Sequence, residues 1–266
     1  MRNNIFKVCD TFETLQGEGS YTGRYSLFIR LSGCNLKCSF CDEPKHKSSK
    51  EVIFEGDDWK LLKFLVEKHP NFFDWQRTDV RTVVVTGGEP TLYNVNEILA
   101  TLNREQAYLK KFEFCVESNG LDPFSARAAH LYTLSPKDDE YKDPKAYMKS
   151  DWFLSRINAG FKTDIKLLCD GTEESIEPYI TAFKIFVYEL LPEKVKHMQF
   201  KRDFMPRIWS SVSLYISPIN DQKSLNEGTN KKVVDGLING KFECLKSFDI
   251  CPVYLNTQMH KVWNID

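Results

Sequence analysis

Three cysteines stand close together in one short segment of the chain. Cys34, Cys38 and Cys41 have the spacing C-x3-C-x2-C and follow an apolar run at residues 26–31 that is typical of a strand. A structural zinc site uses four protein ligands, and a 4Fe–4S cluster normally has one thiolate for each iron. No second pair with zinc spacing follows, so three thiolates would leave one iron open to a substrate or cofactor. The alternatives are a zinc site completed by His46 and three thiols that are simply buried.

Polar motifs follow three further apolar runs, which we predict to be strands. They are Gly87-Gly88-Glu89-Pro90, Glu117-Ser118-Asn119-Gly120 and Ser135-Pro136-Lys137. Two glycines let the backbone approach a ligand closely, and Glu89 can accept hydrogen bonds from an ammonium group. In α/β folds, ligands bind at the carboxyl ends of the strands. Each motif alone is an ordinary turn sequence, but three of them downstream of the cysteine segment indicate one ligand site.

The elements that must position these motifs alternate between β-rich and helical segments. Strands are predicted at residues 25–31, 81–86, 111–117, 131–134, 163–168, 182–188 and 212–217, and helices at 58–68, 94–109, 175–179 and 231–239. This alternation predicts an α/β fold with a mostly parallel sheet, as an open or closed barrel. Segments 44–79 and 136–158 resemble insertions. We predict a single domain over residues 1–266.

Composition restricts the class of partner. Among 266 residues, 36 Lys and Arg stand against 37 Asp and Glu, so no overall field favours nucleic acid or an anionic membrane. The partner is expected to be a small molecule. The sequence has no signal-peptide pattern and no run of 18 apolar residues, which predicts a cytoplasmic protein. Single cysteines in apolar surroundings are predicted to be core residues: Cys9, Cys115, Cys169, Cys244 and Cys251. His46 and His69 are predicted to lie on the surface.

The cysteine spacing, the aromatic Phe40 before the third cysteine and the Gly-Gly-Glu-Pro motif resemble the radical S-adenosylmethionine (SAM) superfamily. The resemblance implies an incomplete TIM-like barrel in which the three cysteines hold a 4Fe–4S cluster and SAM chelates its fourth iron. It further implies a set of SAM-binding residues. Gly87, Gly88 and Glu89 would hold the methionyl amine, Phe40 would touch the adenine, Ser118 and Ser135 would reach the ribose, and Lys137 would complete the set.

A narrower resemblance covers most of the chain. Residues 14–19, 23–24, 28–36, 41–42, 117–120, 135–137, 164–166 and 258–261 resemble landmarks of the 7-carboxy-7-deazaguanine synthase family. The family implies a homodimeric lyase that converts 6-carboxy-5,6,7,8-tetrahydropterin to 7-carboxy-7-deazaguanine and ammonia, on the route to queuosine. The resemblance also implies that an adenosyl radical would abstract the hydrogen at C6 of the pterin and that SAM would be regenerated. Magnesium and an electron donor such as flavodoxin are further expectations.

Such a substrate presents a guanidine-like edge of donors together with one carboxylate. Gln16 and Glu18 suit the edge, and Arg30, with Lys261 or His260, suits the carboxylate. The predicted substrate-binding set is Leu15, Gln16, Gly17, Glu18, Arg30, Gln258 and His260. The alternative for Arg30 is an ion pair with Glu18 that only caps the barrel.

The chain departs from the family pattern at one position. The residue after Cys41-Asp42 is usually a threonine that contributes to the magnesium site, and here it is Glu43. A carboxylate is a stronger ligand for a hard cation than a hydroxyl, but it adds negative charge beside an anionic substrate. Glu43 is therefore a candidate magnesium ligand. Two other functions stay open: a glycyl-radical-enzyme activase and a non-catalytic metal-binding protein.

Overall fold

Strands and helices alternate along the chain, as the sequence predicts. The computed structural model describes residues 5–41, 52–55, 58–74, 76, 79–104, 112–137, 150–190, 205–220, 226–246 and 248–259. The strands are β1 Ile5–Leu15, β2 Tyr25–Leu31, β3 Val52–Glu55, β4 Arg81–Gly87, β5 Phe112–Ser118, β6 Leu131–Leu134, β7 Lys162–Cys169, β8 Val212–Pro218 and β9 Val253–Leu255. The helices are α1 Asp58–Lys68, α2 Val95–Arg104, α3 Ser150–Asn158, α4 Glu177–Leu190, α5 Met205–Ser211, α6 Glu227–Ile238 and α7 Glu243–Lys246.

Within the described ranges, the strands form one open sheet in the order β3-β1-β2-β4-β5-β6-β7-β8-β9. Every neighbouring pair from β2 to β9 is parallel, whereas β1 runs antiparallel to both β2 and β3. The prediction of an α/β fold with a mostly parallel, incompletely closed sheet is confirmed. No helix in the described part of the chain is long and apolar enough to cross a membrane.

The two faces of the sheet bury different side chains. Side chains alternate along a strand, so Leu27, Ile29 and Leu31 of β2 pack with the helices in the main core. Phe28 points to the inner face, where it packs in a smaller apolar cluster with Cys115. The inner face carries polar side chains towards the carboxyl ends of the strands. Those side chains form the candidate site.

One predicted strand is wrong, and six described elements were not predicted, namely β1, β3, β9, α3, α5 and α7. Residues 182–188 are not a strand but belong to α4, which also extends the short helix predicted at 175–179. Phe183, Phe186 and Val187 are buried while Ile185 is exposed, which is helical spacing in a segment whose aromatic and branched residues suggested a strand. β1 was not predicted, because an irregularity between Val8 and Asp10 breaks the alternation by which a strand is recognised.

His69 lies in the core, so the surface prediction is wrong. It is 6% exposed, and its ring contacts Thr11 and Glu13 of β1. His46 lies outside the described residues. The division into one domain with insertions stays a prediction, although segment 44–79 contributes β3 and α1, whose Phe54 and Leu65 are buried in the main core. Of the five predicted core cysteines, Cys115, Cys169 and Cys251 are buried, and Cys9 and Cys244 are half-buried.

Candidate active site

The cysteine segment begins directly after β2, at the carboxyl edge of the sheet. Cys34, Cys38 and Cys41 are half-buried, and the backbone N–H of Leu36 donates to the Cys34 sulfur at 3.4 Å. Burial raises the pKa of the Cys38 thiol, Lys137 opposes this shift, and the Cys34 and Cys41 thiols add to it. Lys137, which follows β6, therefore lies within electrostatic range of the thiols. Among the described residues, no three His, Cys, Asp or Glu side chains are grouped so as to hold a single metal ion.

The glycine loop after β4 is bound to the base of the cysteine segment. Gly87 has φ +138°, and a Cβ at this position would lie 2.1 Å from the carbonyl oxygen of Leu31. Only glycine allows this approach. The N–H of Gly88 donates to the same carbonyl at 3.1 Å, and the N–H of Glu89 donates to the carbonyl of Gly33 at 2.8 Å. The two motifs thus form one backbone unit.

The Glu89 side chain points into the protein. It is 1% exposed, and its carboxylate accepts from Thr91 N at 2.9 Å, from Ser118 Oγ at 2.7 Å, from Asn119 N at 2.7 Å and also from Thr91 Oγ1. Burial raises the pKa of this carboxyl, and the hydrogen bonds oppose the rise. Three of these donors bond to Oε1, and only the N–H of Asn119 bonds to Oε2. Oε2 therefore keeps acceptor capacity that an ammonium group could use.

The motif after β5 links the remaining loops. Asn119 Nδ2 donates to Asn35 Oδ1 in the cysteine segment at 2.9 Å, and the N–H of Ser135 donates to the carbonyl of Ser118 at 2.8 Å. The Ser118 hydroxyl donates to Glu89 and accepts from the N–H of Gly120 at 2.9 Å. The Ser135 hydroxyl is buried and has no hydrogen-bond partner among the described residues. A buried hydroxyl of this kind suits a bound hydroxylated ligand such as a ribose.

A polar pair on the inner face joins the loop after β1 to β5. Gln16 is 3% exposed, and its Nε2 donates to Glu117 Oε1 at 2.9 Å. The hydroxyl of Thr86 donates to the other Glu117 oxygen at 3.2 Å. The sequence analysis placed Glu117 in a ligand motif but assigned it no role of its own. Strand alternation could have indicated that Glu117 faces the site, because Glu117 follows Cys115 by two positions and therefore points to the same face of β5.

β7 supplies two charged side chains to the same face. Lys166 forms an ion pair with Glu18, and both side chains are largely buried. Asp164 accepts from the N–H of Ser20 at 2.7 Å and from its hydroxyl at 2.6 Å. Burial raises the pKa of Asp164 to about 6. With Glu117, these groups line a narrow cavity on the inner face.

The other predicted substrate residues do not line this cavity, and some lie outside the described part of the chain. Arg30 Nη1 lies 4.0 Å from Asp10 Oδ2, and its guanidinium lies 4.7 Å from the centre of the Phe12 ring. Glu18, the alternative partner of Arg30, is paired with Lys166. Gln258 is buried and accepts from Asn220 Nδ2 at 3.2 Å. The carbonyl of Gly17 accepts from the N–H of Met259 at 3.1 Å. Leu15 and the predicted adenine contact Phe40 are each 37% exposed. Glu43 and His260 lie outside the described residues.

The fold and the motifs at its carboxyl edge define a radical SAM protein. A family model described as the radical SAM superfamily matches residues 28–135. The chain belongs to the 7-carboxy-7-deazaguanine synthase family, since it is 33% identical over 172 residues to the 7-carboxy-7-deazaguanine synthase of Haemophilus influenzae, with 65% of this chain and 71% of that protein covered.

Further relatives extend this similarity to nearly the whole chain. The 7-carboxy-7-deazaguanine synthase of Methanocaldococcus jannaschii is 27% identical over 260 residues, which cover 96% of this chain and 98% of the relative. Among solved structures, the crystal structure of QueE from Escherichia coli has a TM-score of 0.55 at 21% identity and covers 95% of this chain and 94% of that chain. Native anSMEcpe with bound AdoMet and Kp18Cys peptide has a TM-score of 0.51 at 16% identity, with 86% of this chain and 63% of that chain covered. These two structures support the fold.

Proposed function

We propose that this protein is a radical SAM lyase that converts 6-carboxy-5,6,7,8-tetrahydropterin to 7-carboxy-7-deazaguanine and ammonia. The observation that carries the proposal is the position of the Gln16–Glu117 pair. This pair lies on the inner face of the same sheet edge that holds the cysteine segment and the glycine loop. Relatives that match nearly the whole chain are named 7-carboxy-7-deazaguanine synthase.

The residues at the edge fit the expected cofactors. Cys34, Cys38 and Cys41 would hold the 4Fe–4S cluster, and SAM would lie beside the glycine loop. Gly87, Gly88 and Glu89 would hold the methionyl amine, with Phe40, Ser118, Ser135 and Lys137 around the rest of SAM. The buried Ser135 hydroxyl supports this arrangement, because it lacks a hydrogen-bond partner among the residues described. When bound, the cluster and SAM supply the one-electron chemistry that starts the reaction, and the protein positions the substrate and excludes water.

The inner face provides the complementary groups for a pterin. The guanidine-like edge of the substrate consists mainly of N–H donors, and the carboxylates of Glu117 and Glu18 together with the Gln16 amide can accept from them. Arg30 would bind the substrate carboxylate, since a guanidinium can donate two parallel hydrogen bonds to it. Leu15, Gly17, Gln258 and His260 complete the proposed substrate-binding set.

Further properties of the enzyme follow from the family resemblance. A magnesium ion near the substrate carboxylate belongs to this proposal, with Glu43 as its candidate ligand. The proposed enzyme is a cytoplasmic homodimer that is reduced by an electron donor such as flavodoxin. Residues 1–266 are proposed to form one radical SAM domain with insertions at 44–79 and 136–158.

The decisive experiment is anaerobic reconstitution of the cluster, followed by addition of reductant, SAM, magnesium and 6-carboxytetrahydropterin, with products followed by mass spectrometry. We expect 7-carboxy-7-deazaguanine at many turnovers per SAM and about four irons per chain. Cys38→Ser should lose iron and product, whereas Cys169→Ser, at a buried cysteine that donates to Thr172 O, should keep its iron. Accumulation of 5′-deoxyadenosine without the deazapurine would leave the radical SAM class intact and refute the substrate.

A further inference from the structure

The loop after β1 reaches across the inner face of the sheet. β1 stands near one end of the sheet, and β2, β4, β5 and β6 separate it from β7. Residues 16–20, which we name the crossing loop, nevertheless contact β7 directly. The crossing loop carries both Gln16 and Glu18, so its conformation determines where these two proposed substrate-binding side chains lie.

β7 holds the crossing loop at two points. Asp164 accepts from the N–H and the hydroxyl of Ser20, at 2.7 and 2.6 Å. Lys166 pairs with Glu18. Asp164 and Lys166 are two positions apart on one strand, so both point to the inner face. A third contact comes from the segment after β9, where Asn256 Oδ1 accepts from the N–H of Gly19 at 3.0 Å.

We propose that Asp164 and Lys166 are positioning residues that hold the crossing loop in its substrate-binding conformation. This inference rests on the proposed function, because it assumes that Gln16 and Glu18 contact the substrate. Both carboxylate oxygens of Asp164 accept hydrogen bonds from Ser20, so this side chain anchors the crossing loop to β7. Lys166 acts by charge, since Glu18, Glu117 and Asp164 line one cavity and an ammonium among them offsets their mutual repulsion.

The contact between the crossing loop and Asp164 is tight enough to test by adding a single methyl group. Gly19 has φ +67°, and a Cβ there would lie 2.7 Å from Asp164 Oδ2. Gly23 also has a positive φ, +84°, but a Cβ there would meet no atom within 4 Å. Alanine at either position strains the backbone similarly, whereas only Gly19→Ala displaces the loop from Asp164. Gly23→Ala is therefore the matched control.

A loosened loop lowers the fraction of protein that is ready to bind, which raises the apparent dissociation constant in proportion. With the reconstituted holoenzyme, we expect Gly19→Ala and Asp164→Ala to raise KM for 6-carboxytetrahydropterin roughly tenfold or more while kcat changes less than about threefold. Gly23→Ala should change KM by less than about threefold. Lys166→Met should also raise KM, and Lys162→Met, which removes an exposed lysine at the start of β7, should not.

Hydrogen exchange gives a readout that does not depend on turnover. The Ser20 amide donates to Asp164, so Asp164→Ala, which removes the acceptor, should accelerate its exchange at least severalfold, and Ser20→Ala, which removes only the hydroxyl contact, should do so less. Asp170→Ala is the control, because Asp170 is exposed just after β7 and accepts from Thr172. Unaltered exchange at Ser20 and KM values equal to those of the controls would overturn the proposal. A wild-type enzyme that does not convert the pterin would instead refute the proposed function, while exchange would still decide whether β7 holds the loop.

Discussion

The backbone N–H of Asn119 donates to Glu89 Oε2 across 2.7 Å, although the two residues follow different strands. The other oxygen of the same carboxylate accepts from the N–H of Thr91 at 2.9 Å. Glu89 therefore connects the glycine loop after β4 to the motif after β5. This connection positions the loops that we propose for SAM binding.

The first prediction concerns this carboxylate. Each oxygen of the Glu89 carboxylate accepts a hydrogen bond from a backbone N–H, Oε1 from Thr91 and Oε2 from Asn119. In Glu89→Gln, either orientation of the amide therefore places its NH2 group against a backbone N–H. We expect the free energy of unfolding to fall by about 2 kcal/mol, which is the order of a lost charged hydrogen bond in a buried site. Urea unfolding measures the change. Glu67→Gln, at an exposed residue of α1, should alter stability by less than about 0.5 kcal/mol; equal effects of both variants would contradict the interpretation.

The second prediction uses two glycines of α6. A Cβ at Gly236 would lie 2.4 to 2.6 Å from ring atoms of Phe242, whereas a Cβ at Gly228 would lie 3.6 Å from Asn226 Oδ1. Alanine favours a helix over glycine by roughly 1 kcal/mol, but overpacking a core costs about 1–3 kcal/mol. Thermal unfolding should therefore show Gly236→Ala to be destabilised and Gly228→Ala to be unchanged or slightly stabilised. A stabilised Gly236→Ala would mean that Phe242 moves without cost.

The third prediction is a dependence of stability on pH through His69. Burial lowers the pKa of this imidazole, and the hydrogen bond to Glu13 only partly opposes the shift. Because the folded protein favours the neutral ring, the unfolded state binds more protons as the pH falls below the unfolded pKa of about 6.5. The contribution of His69 to stability is thus present at pH 7.5 and is lost towards pH 5. Denaturation across this range should show the wild type converging on His69→Gln at low pH, and a stability difference that widens there would refute the assignment.

The fourth prediction concerns the departure from the family pattern at Glu43. A carboxylate ligand binds a hard cation more strongly than a hydroxyl does, so Glu43→Thr should raise the magnesium concentration needed for half-maximal turnover. Titration of magnesium against product formation by the reconstituted enzyme measures this. Lys63→Thr, at an exposed residue of α1, serves as the control. An unchanged magnesium dependence would remove Glu43 from the metal site.

The amino-acid sequence by itself determined the local features of this protein. The spacing of Cys34, Cys38 and Cys41, and the alternation of apolar strands with helices, predicted an α/β fold with ligand motifs at one edge of the sheet. These features depend on a few neighbouring residues, whose periodicity and turn chemistry can be read directly. Where the local signal was ambiguous the prediction was wrong, as for residues 182–188, whose aromatic and branched side chains suit a strand as well as the buried face of α4.

Only the tertiary structure decided which distant side chains meet. His69 was assigned to the surface because it falls in segment 44–79, which resembles an insertion, but β1 places Thr11 and Glu13 against it. Glu117 became a site residue through Gln16, 101 positions earlier in the chain, and Asp164 through Ser20, 144 positions earlier. The sheet order and the crossing loop create these contacts. No local pattern encodes them, since a side chain's partner across the barrel depends on how the whole sheet curves and packs.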